Sequence, residues 1–227
     1  MAPPGRPRLY LATRNAGKVR EFGRLLGAWF AVEPLAPDVT LPPENGSTFA
    51  ENALLKAGAG FAEVGGQVAV LADDSGLEVD ALGGEPGVRS ARYAGEDAGD
   101  RENVLRLLEE LSGRSDRRGR FVCALALLLP PELARLAGTG LLEARGTLEG
   151  TITLEPRGET GFGYDPVFRP AGWERTLAEG GPDEKDAISH RGDAVRALVA
   201  LWQSIGSPPG GALSSPGGDL PSPGGDS

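Results

Sequence analysis

The stretch Val68-Ala-Val-Leu-Ala-Asp-Asp-Ser-Gly-Leu77 joins a short apolar run to a polar, turn-forming tetrapeptide. Residues 68–72 have the composition of a buried strand, and we expect that strand to end at Asp73 and Asp74. Open α/β sheets bind ligands beyond the carboxyl ends of their strands, and two carboxylates are costly to bury there without a cation. Neighbouring strand residues point to opposite faces, so the two aspartates should have different roles. The alternative interpretation is a capped turn, because Asp-Asp-Ser-Gly is good turn chemistry.

Strands and helices alternate on both sides of this stretch, which indicates the α/β class. Besides residues 68–72, the predicted strands are 8–13, 121–129 and, as a strand or hairpin arm, 142–154. A capping box at Thr48-Phe-Ala-Glu51 begins a helix that runs toward Val64, Asp100 caps another, and the last helix spans Ser189–Ile205. The apolar positions expected to face inward are Val19, Phe22, Leu25 and Leu26; Val104, Leu107, Leu108 and Leu111; and Val195, Leu198, Leu201 and Trp202.

Composition and charge narrow the function classes. The 227 residues are 40% hydrophobic and 24% charged, as in an ordinary globular protein. A formal net charge of −9 and a sequence pI near 4.8 argue against nucleic acid as the main partner, because duplex-binding proteins carry a basic face. A small anionic substrate remains compatible with this charge, since a few cations beside a divalent metal can hold a polyphosphate.

Two rare residues restrict the kinds of site that the chain can build. Cys123 is the only cysteine, which excludes an internal disulfide framework and a cysteine-built zinc site, and we expect it to be buried and inert. His190 is the only histidine, so a multi-histidine metal site is excluded as well. Any metal must be held by carboxylates, which favours magnesium or manganese over zinc.

Three segments are expected along the chain. Residues 1–8 are predicted to be a flexible N-terminus, residues 9–205 a single domain, and residues 206–227 a disordered tail rich in Pro, Gly and Ser. No apolar stretch approaches the roughly 20 residues that span a bilayer, and the first residues have no signal-peptide core. We therefore expect a cytoplasmic protein with no membrane partner.

Four segments other than the Asp73–Asp74 stretch could carry chemistry. Thr13-Arg-Asn-Ala-Gly-Lys18 is a strand–turn–helix junction rich in donors, which predicts an anion site; the alternative is a plain turn capped by its asparagine. In Gly161-Phe-Gly-Tyr-Asp-Pro166, an aromatic face could stack on a base and a carboxylate could accept from its N–H edge; the alternative is a packed turn. Lys185-Asp-Ala-Ile-Ser-His-Arg191 places cations at a helix N-terminus against the dipole, which suggests function over a solvated basic turn. The fourth segment has Glu44 in a loop and Lys56 on the helix that follows. Its alternative interpretation is a solvated loop and a surface lysine.

Together these segments closely resemble the Ham1/inosine triphosphate pyrophosphatase family. The matching stretches, which extend over the chain from about Leu9 to Ile205, are Leu11–Lys18, Thr48–Ala53, Ala72–Leu77, Gly83–Tyr93, Gly161–Asp165 and Ile188–Gly192. One departure is Arg14, where the family usually has glycine. If that position needs a positive φ, Arg14 strains the loop; otherwise it adds a cation on the phosphate side.

The resemblance implies a mixed, elongated central sheet flanked by helices, with two lobes and the active site in the cleft between them. It implies a Mg²⁺-dependent homodimer that hydrolyses the purine nucleoside triphosphates ITP, dITP and XTP to the monophosphate and pyrophosphate. Asp74 would be the proton acceptor, and Glu44 and Asp74 would ligate Mg²⁺. The implied substrate-binding residues are Thr13, Arg14, Asn15, Ala16, Gly17, Lys18, Lys56 and Ser75 at the phosphates and Phe162, Gly163, Tyr164, Asp165, Lys185, His190 and Arg191 at the base.

Other functions stay open at this stage. A nucleotide-binding regulatory module would keep the phosphate-binding segment but has no need of Glu44 and the aspartate pair. An acidic interaction protein could work through the tail, residues 206–227. A closer competitor is a pyrophosphatase for other damaged nucleotides.

Overall fold

The computed structural model describes residues 6–205, and the tail predicted for residues 206–227 lies outside the described residues, as do residues 1–5 of the predicted N-terminal segment. The strands are β1 (Arg8–Leu11), β2 (Ala31–Pro34), β3 (Ala69–Val79), β4 (Arg118–Leu128), β5 (Leu141–Ile152) and β6 (Phe168–Pro170). They form one mixed sheet in the order β2-β1-β3-β4-β5-β6. β1 runs parallel to β2 and β3, and the remaining neighbours are antiparallel. The α/β class and the mixed central sheet are confirmed.

The helices are α1 (Ala16–Leu26), α2 (Phe49–Glu63), α3 (Asp100–Glu110), α4 (Pro131–Ala137), α5 (Pro182–Ile188) and α6 (His190–Ile205). α4 and α5, like the short strands β2 and β6, are elements that the sequence patterns do not predict. The helices flank the sheet on both faces: α1 and α6 pack on one face of β3 and β4, and α2 packs on the other. Among the described residues, no helix has both the length and the apolar character needed to cross a bilayer.

The apolar core divides along the two long strands, which is the basis of the two lobes. One cluster, under α1 and α6, includes Leu71 of β3. Another, under α3 and β6, includes Leu77 of the same strand. Asp73 and Asp74 lie between these two core clusters, at the junction of the lobes. Cys123 is buried in the first cluster, and burial raises the pKa of its thiol to about 12, so it is inert as expected.

The predicted end of the strand at Asp73 and Asp74 is wrong. β3 continues through both aspartates to Val79, because β4 pairs with it along its whole length. It is the parallel pairing with β1 that stops, at Leu71. Between there and an isolated bridge at Glu78, no other described strand lies beside that edge of β3. The aspartates therefore lie inside a strand, on a stretch of β3 whose other edge is open.

Several local predictions are settled by the same structure. Ser189 caps α6 as expected, because its Oγ accepts from the Gly192 N–H at 2.9 Å. Asp100 is not the cap of α3: Gly99 holds that position, and Asp100 is the first helical residue. Leu201 is 41% exposed and does not face inward. It lies just beyond the buried face of α6, so its side chain is turned toward solvent.

The side chains at the start of α2 cap the helix. Thr48 Oγ1 accepts from the Glu51 N–H at 3.1 Å, as predicted. The Glu51 carboxylate also accepts from the N–H and the hydroxyl of Ser47, at 2.7 and 2.8 Å. The helix begins where the sequence pattern places it.

Candidate active site

A cavity of about 610 Å³ opens at the free edge of β3. It brings together most of the residues predicted for the site. Those that line it are Thr13, Arg14, Asn15, Lys18, Glu44, Lys56, Asp74, Ser75, Phe162, Gly163, Tyr164, Asp165, His190 and Arg191. Three predicted residues, Ala16, Gly17 and Lys185, are not among the lining residues. Segments far apart in the sequence therefore converge on one concave site, as ligand pockets require.

The junction before α1 is a capped turn in its backbone. Asn15 Oδ1 accepts from the N–H groups of Gly17 and Lys18, at 2.8 and 3.1 Å, and its own N–H donates to Thr13 Oγ1 at 3.2 Å. These helix N–H groups are thus satisfied within the chain, and the junction offers a ligand mainly side chains. The positive-φ alternative for Arg14 is excluded, because every described residue with a positive φ is a glycine. Arg14 instead lines the cavity and donates to the Ala36 carbonyl at 3.2 Å.

Asp73 points toward α1 and α6 and binds cations there. Its Oδ2 lies 2.7 Å from Lys18 Nζ and 3.9 Å from Arg191 Nε, and it accepts from Ser75 Oγ at 2.8 Å. Burial alone would raise the pKa of Asp73, but the charge of Lys18 and further cations lower it to about 2. Glu21, buried on α1, holds the other end of the Arg191 guanidinium at 3.1 Å. The dipole penalty expected for Arg191 is therefore offset by two carboxylates.

Asp74 points the opposite way, toward α2. Its Oδ2 accepts from Asn52 Nδ2 at 2.9 Å, its Oδ1 accepts from the Ser75 N–H at 3.0 Å, and Lys56 Nζ lies 3.7 Å away. Burial raises the pKa of Asp74; Lys56 acts against that shift and the nearby Glu44 adds to it. The two aspartates thus have different partners, as strand alternation predicted, and Asp74 is the more basic carboxylate.

The ammonium group of Lys56 lies between two carboxylates. It pairs with Glu44 and with Asp74, and its side chain is buried, so the surface-lysine alternative is wrong. Burial acts to lower the pKa of Lys56, but the surrounding carboxylates raise it above its ordinary value. Arg92 holds Glu44 from the other side, with Nη2 2.9 Å from the Glu44 carbonyl oxygen and Nη1 3.8 Å from its Oε2.

The segment after Gly161 is a tightly anchored loop. Asp165 Oδ2 accepts from the Phe162 N–H at 2.9 Å and from Lys185 Nζ. Asp100 Oδ2 accepts from the Gly163 N–H at 2.6 Å. Tyr164 is buried, and its hydroxyl donates to the Ser90 carbonyl at 2.8 Å, so this side chain supports the loop.

Two cations lie over the Phe162 ring. Lys185 Nζ is 4.6 Å and Arg191 Cζ 5.1 Å from its centroid, within the range of cation–π attraction. Lys185 is therefore next to the cavity wall, although it does not line it. The loop and the entrance to α6 form one packed unit at this end of the cavity.

His190 is buried and unpaired. Its ring stacks on Phe121, with centroids 4.9 Å apart and planes at 13°, and neither ring nitrogen has a hydrogen-bond partner. Burial and the nearby cations Arg191, Lys185 and Lys18 lower the pKa of His190 well below its ordinary value. A neutral imidazole on a cavity wall has one donor and one acceptor to offer a ligand.

A model of the Ham1 family matches residues 9–201. The chain belongs to the Ham1 family. A relative from Exiguobacterium sp., named dITP/XTP pyrophosphatase, is 50% identical over 196 residues, which is 85% of this chain and 95% of the relative. A Geobacillus kaustophilus protein of the same name is 50% identical over 206 residues, 87% and 95% of the two chains.

Solved Ham1 structures have the same fold. A HAM1 protein from Coxiella burnetii superposes with a TM-score of 0.76 at 40% identity, over 87% of this chain and 99% of the other. The Ham1 protein from Staphylococcus aureus gives 0.75 at 39% identity, over 87% and 98%.

The residues of this Ham1 chain that support the site without having been predicted include Glu21, Asn52 and Arg92. Glu21 lies three residues after Lys18 and next to buried Phe22, so its helical spacing was an available signal. Asn52 and Arg92 lie inside two of the stretches that carry the resemblance, but no local pattern indicates what they contact. Their roles depend on long-range packing, which a single sequence does not display.

Proposed function

We propose that the chain hydrolyses non-standard purine nucleoside triphosphates, ITP, dITP and XTP, to the monophosphate and pyrophosphate. The observation that carries the proposal is the content of one cavity: a basic, paired carboxylate at Asp74 and an unpaired neutral imidazole at His190. The Asp74 carboxylate is suited to accept a proton from water, and the His190 imidazole is suited to hydrogen-bond a base. The names of the curated relatives, dITP/XTP pyrophosphatase, support the same reaction.

The phosphate chain is proposed to bind between the α1 junction and the aspartate pair. Lys18 and Lys56 supply charge, and Arg14 adds a cation at the cavity wall. Thr13, Asn15 and Ser75 supply neutral donors at the same wall, with Ala16 and Gly17 shaping the turn behind them. Both lysines are already paired with carboxylates, which hold their side chains in place. A bound triphosphate would take the place of a carboxylate as the partner of each lysine.

Glu44 and Asp74 are proposed to hold Mg²⁺. Their carboxylates already share one cation, the ammonium of Lys56, and hard oxygen ligands suit Mg²⁺. No group of three or more His, Cys, Asp or Glu within residues 6–205 is placed to hold a metal ion. Two carboxylates are nevertheless compatible with Mg²⁺, which usually takes its remaining ligands from water and substrate phosphates. When bound, the ion would neutralise charge on the phosphates.

Asp74 is proposed to accept the proton of the attacking water. The water oxygen bonds to the α-phosphorus, the bond from that phosphorus to the α–β bridging oxygen breaks, and pyrophosphate leaves. The proton released from the water goes to a carboxylate oxygen of Asp74. Its raised pKa makes Asp74 a stronger acceptor than the neighbouring Asp73, whose pKa of about 2 leaves it with little proton affinity.

The base is proposed to lie against the Phe162–Asp165 loop, with Lys185, His190 and Arg191 at its edge. Hypoxanthine and xanthine present an acceptor at position 6, where adenine presents an amino donor. Lysine and arginine are donors only, so an adenine amino group would leave buried donors unpaired, at roughly 1–3 kcal/mol each. Guanine shares the 6-keto group, so its rejection must come from the 2-amino group near Phe162–Asp165.

A nucleotide panel tests the reaction. Purified protein with Mg²⁺ is given ITP, dITP, XTP, GTP and ATP, and pyrophosphate, phosphate and monophosphate are measured separately. We expect pyrophosphate and monophosphate from the first three and much less from ATP. Phosphate release without pyrophosphate, or binding without turnover as in a regulatory module, would overturn the proposal. Efficient hydrolysis of other damaged nucleotides, but not of ITP, dITP and XTP, would replace the proposed substrate class by those nucleotides.

Arg191→Ala tests the assignment at the base edge. We expect kcat/KM to fall much more for ITP than for ATP, and the GTP-to-ATP ratio to fall as well, because both 6-keto bases lose the same contact. Equal losses on ITP and ATP would show that Arg191 reads phosphate or serves packing.

The organisation around this reaction is proposed as well. Residues 9–205 act as a single catalytic domain, and the chain works in the cytoplasm, where the nucleotide pool is. We propose a homodimer, whose mass by light scattering would be twice the 23.5 kDa of one chain. A monomeric mass for fully active protein would contradict it.

A further inference from the structure

Asn52, on α2, connects the two parts of the site that carry Glu44 and Asp74. Its Nδ2 donates to Asp74 Oδ2 at 2.9 Å, and its Oδ1 accepts from the Gly46 N–H at 2.7 Å. The residue is completely buried, with 0% of its surface exposed. Gly46 is two residues after Glu44. The side chain of Asn52 therefore bonds both the loop that carries Glu44 and the carboxylate of Asp74.

The loop that carries Glu44 needs such an anchor. It follows β2 and contains Pro37, Pro42 and Pro43, which have no backbone N–H to donate. Ser47 bonds Glu51 at the far end of this loop, and the other side chains that hold that end are Asn52, Lys56 and Arg92. Of these three side chains, Asn52 alone also donates a hydrogen bond to Asp74.

The geometry at Gly46 depends on this contact. A Cβ added at Gly46 would lie 2.7 Å from Asn52 Oδ1 and 2.8 Å from the Cβ of Glu51, closer than real Cβ contacts. The backbone of the loop therefore reaches the amide only because position 46 has no side chain. The amide of Asn52 accepts from the Gly46 N–H through its oxygen and donates to the Asp74 carboxylate through its nitrogen.

We propose that Asn52 is a positioning residue that fixes the Glu44 and Asp74 carboxylates relative to each other and thereby sets the affinity of the site for a divalent cation. This inference rests on the proposed function, because it takes these two carboxylates as the cation ligands. Groups that orient metal ligands typically account for about 10–100-fold in metal affinity. Asn52 touches no part of the base end, so base selection is independent of it.

The test uses Asn52→Leu, which keeps the shape of the side chain and removes both hydrogen bonds. Thr176→Val is the matched control: Thr176 is also buried and its hydroxyl donates to the Arg157 carbonyl at 2.8 Å, but its partners, Arg157 and Glu179, lie outside the cavity. Mn²⁺ binding to the full chain is followed by the EPR signal of free Mn²⁺, and thermal unfolding is measured beside it. Both variants should lower Tm. Only Asn52→Leu should raise the Kd for Mn²⁺, by about 10-fold or more.

Kinetics add a second readout that a merely structural loss would not move. For Asn52→Leu, a higher Mg²⁺ concentration should restore much of kcat, and the ratio of kcat/KM for ITP to that for ATP should stay as in the wild type. Gly46→Ala provides a variant that leaves Asn52 intact: it displaces the loop and should weaken Mn²⁺ binding in the same direction. It decides the question if Asn52→Leu does not fold.

The outcomes separate the two proposals. If the wild type releases pyrophosphate but binds no Mn²⁺, or if the folded variants bind Mn²⁺ as the wild type does, the positioning role is overturned and the proposed function stands. Equal weakening of Mn²⁺ binding in Thr176→Val would overturn it too, since the effect would then follow stability. A wild type that neither binds Mn²⁺ nor releases pyrophosphate from any of the nucleotides would overturn the proposed function itself.

Discussion

Asp73 and Asp74 are neighbours in sequence, yet their chemistry is set by different helices. Strand alternation turns Asp73 toward the cations of α1 and α6, and the pKa of its carboxyl falls to about 2 in spite of its burial. Asp74 faces α2 and the carboxylate of Glu44, and burial raises its pKa. A single dipeptide thus supplies one carboxylate with a lowered pKa, fixed in ion pairs, and one carboxylate with a raised pKa.

This difference predicts unequal effects of two matched substitutions. Asp74→Asn keeps the size of the side chain but removes its charge and proton affinity, so kcat for ITP should fall by at least about 10²-fold, the usual scale for loss of a general base. Nucleotide binding should weaken far less. Asp73→Asn should give a smaller defect in kcat, because it releases Lys18 and Arg191 without removing the proton acceptor. Turnover and equilibrium binding are measured for both variants, and near-wild-type turnover in Asp74→Asn would remove its assignment.

His190 predicts a pH dependence of stability. Its pKa is well below 6.5 in the folded protein, chiefly through burial, whereas in the unfolded chain it returns to about 6.5. Below that pH the unfolded state binds a proton that the folded state does not, so acidification destabilises the fold. The slope for one such proton is about 1.4 kcal/mol per pH unit. His190→Gln cannot titrate, and its free energy of unfolding should fall less between about pH 6.5 and 5.

Denaturant unfolding of wild type and variant across this range measures the difference directly. Carboxylates that titrate in both proteins cancel in the comparison. Parallel curves for the two proteins would mean that folding does not lower the pKa of His190.

At the scale of elements, the site depends on how closely α6 approaches β5. Gly146 lies on β5, and a Cβ there would lie 2.2 Å from the His190 carbonyl oxygen and 2.3 Å from the Ala194 nitrogen. Gly146→Ala should therefore push away the start of α6, which carries His190 and Arg191. We expect a loss of stability of about 1–3 kcal/mol, typical of overpacking, together with a lower kcat/KM for ITP.

Gly58→Ala is the matched control for that substitution. Gly58 lies inside α2 with nothing within 4 Å of an added Cβ, so alanine should stabilise the protein by about 0.5–1 kcal/mol through helix propensity. Chemical denaturation of both variants shows whether each substitution raises or lowers the free energy of unfolding. A neutral Gly146→Ala would show that α6 is not held against β5 at this distance.

The elements were predictable to the extent that local patterns specify them. The starts of α2 and α6 follow from the side chains of Thr48 and Ser189, and the strand alternation at Asp73 and Asp74 follows from period two. The continuation of β3 was not predictable, because Asp-Asp-Ser-Gly has the composition of a turn and is held extended only by its pairing with β4.

The candidate site, too, was predictable only in part. Its residue types and their motifs were readable from the sequence, and the cavity brings most of them together. The supporting contacts were not: the partner of Arg191 is Glu21, which is 170 positions away in the chain. Contacts of that span arise from tertiary packing, to which propensity and spacing do not extend.

For the whole molecule, a net charge of −9 coexists with a site suited to an anionic substrate. In and beside the cavity, four cations are each paired with a carboxylate: Lys18 with Asp73, Lys56 with Glu44, Lys185 with Asp165 and Arg191 with Glu21. Pairing holds these side chains in place before a ligand arrives, so the local arrangement matters more than the net charge.

The same view of the molecule predicts that the tail is dispensable for catalysis. Within residues 6–205, the residues that line the cavity lie between Thr13 and Arg191, and the family match ends at residue 201. Deletion of residues 206–227 should therefore leave kcat and KM for ITP unchanged, with the same Tm. Steady-state kinetics and thermal unfolding of the shortened and full-length chains check this. If the chain instead worked as an interaction protein through its tail, the shortened form would lose that function while a site variant such as Asp74→Asn kept it. Loss of pyrophosphate release on deletion, with Tm unchanged, would assign the tail a part in the reaction.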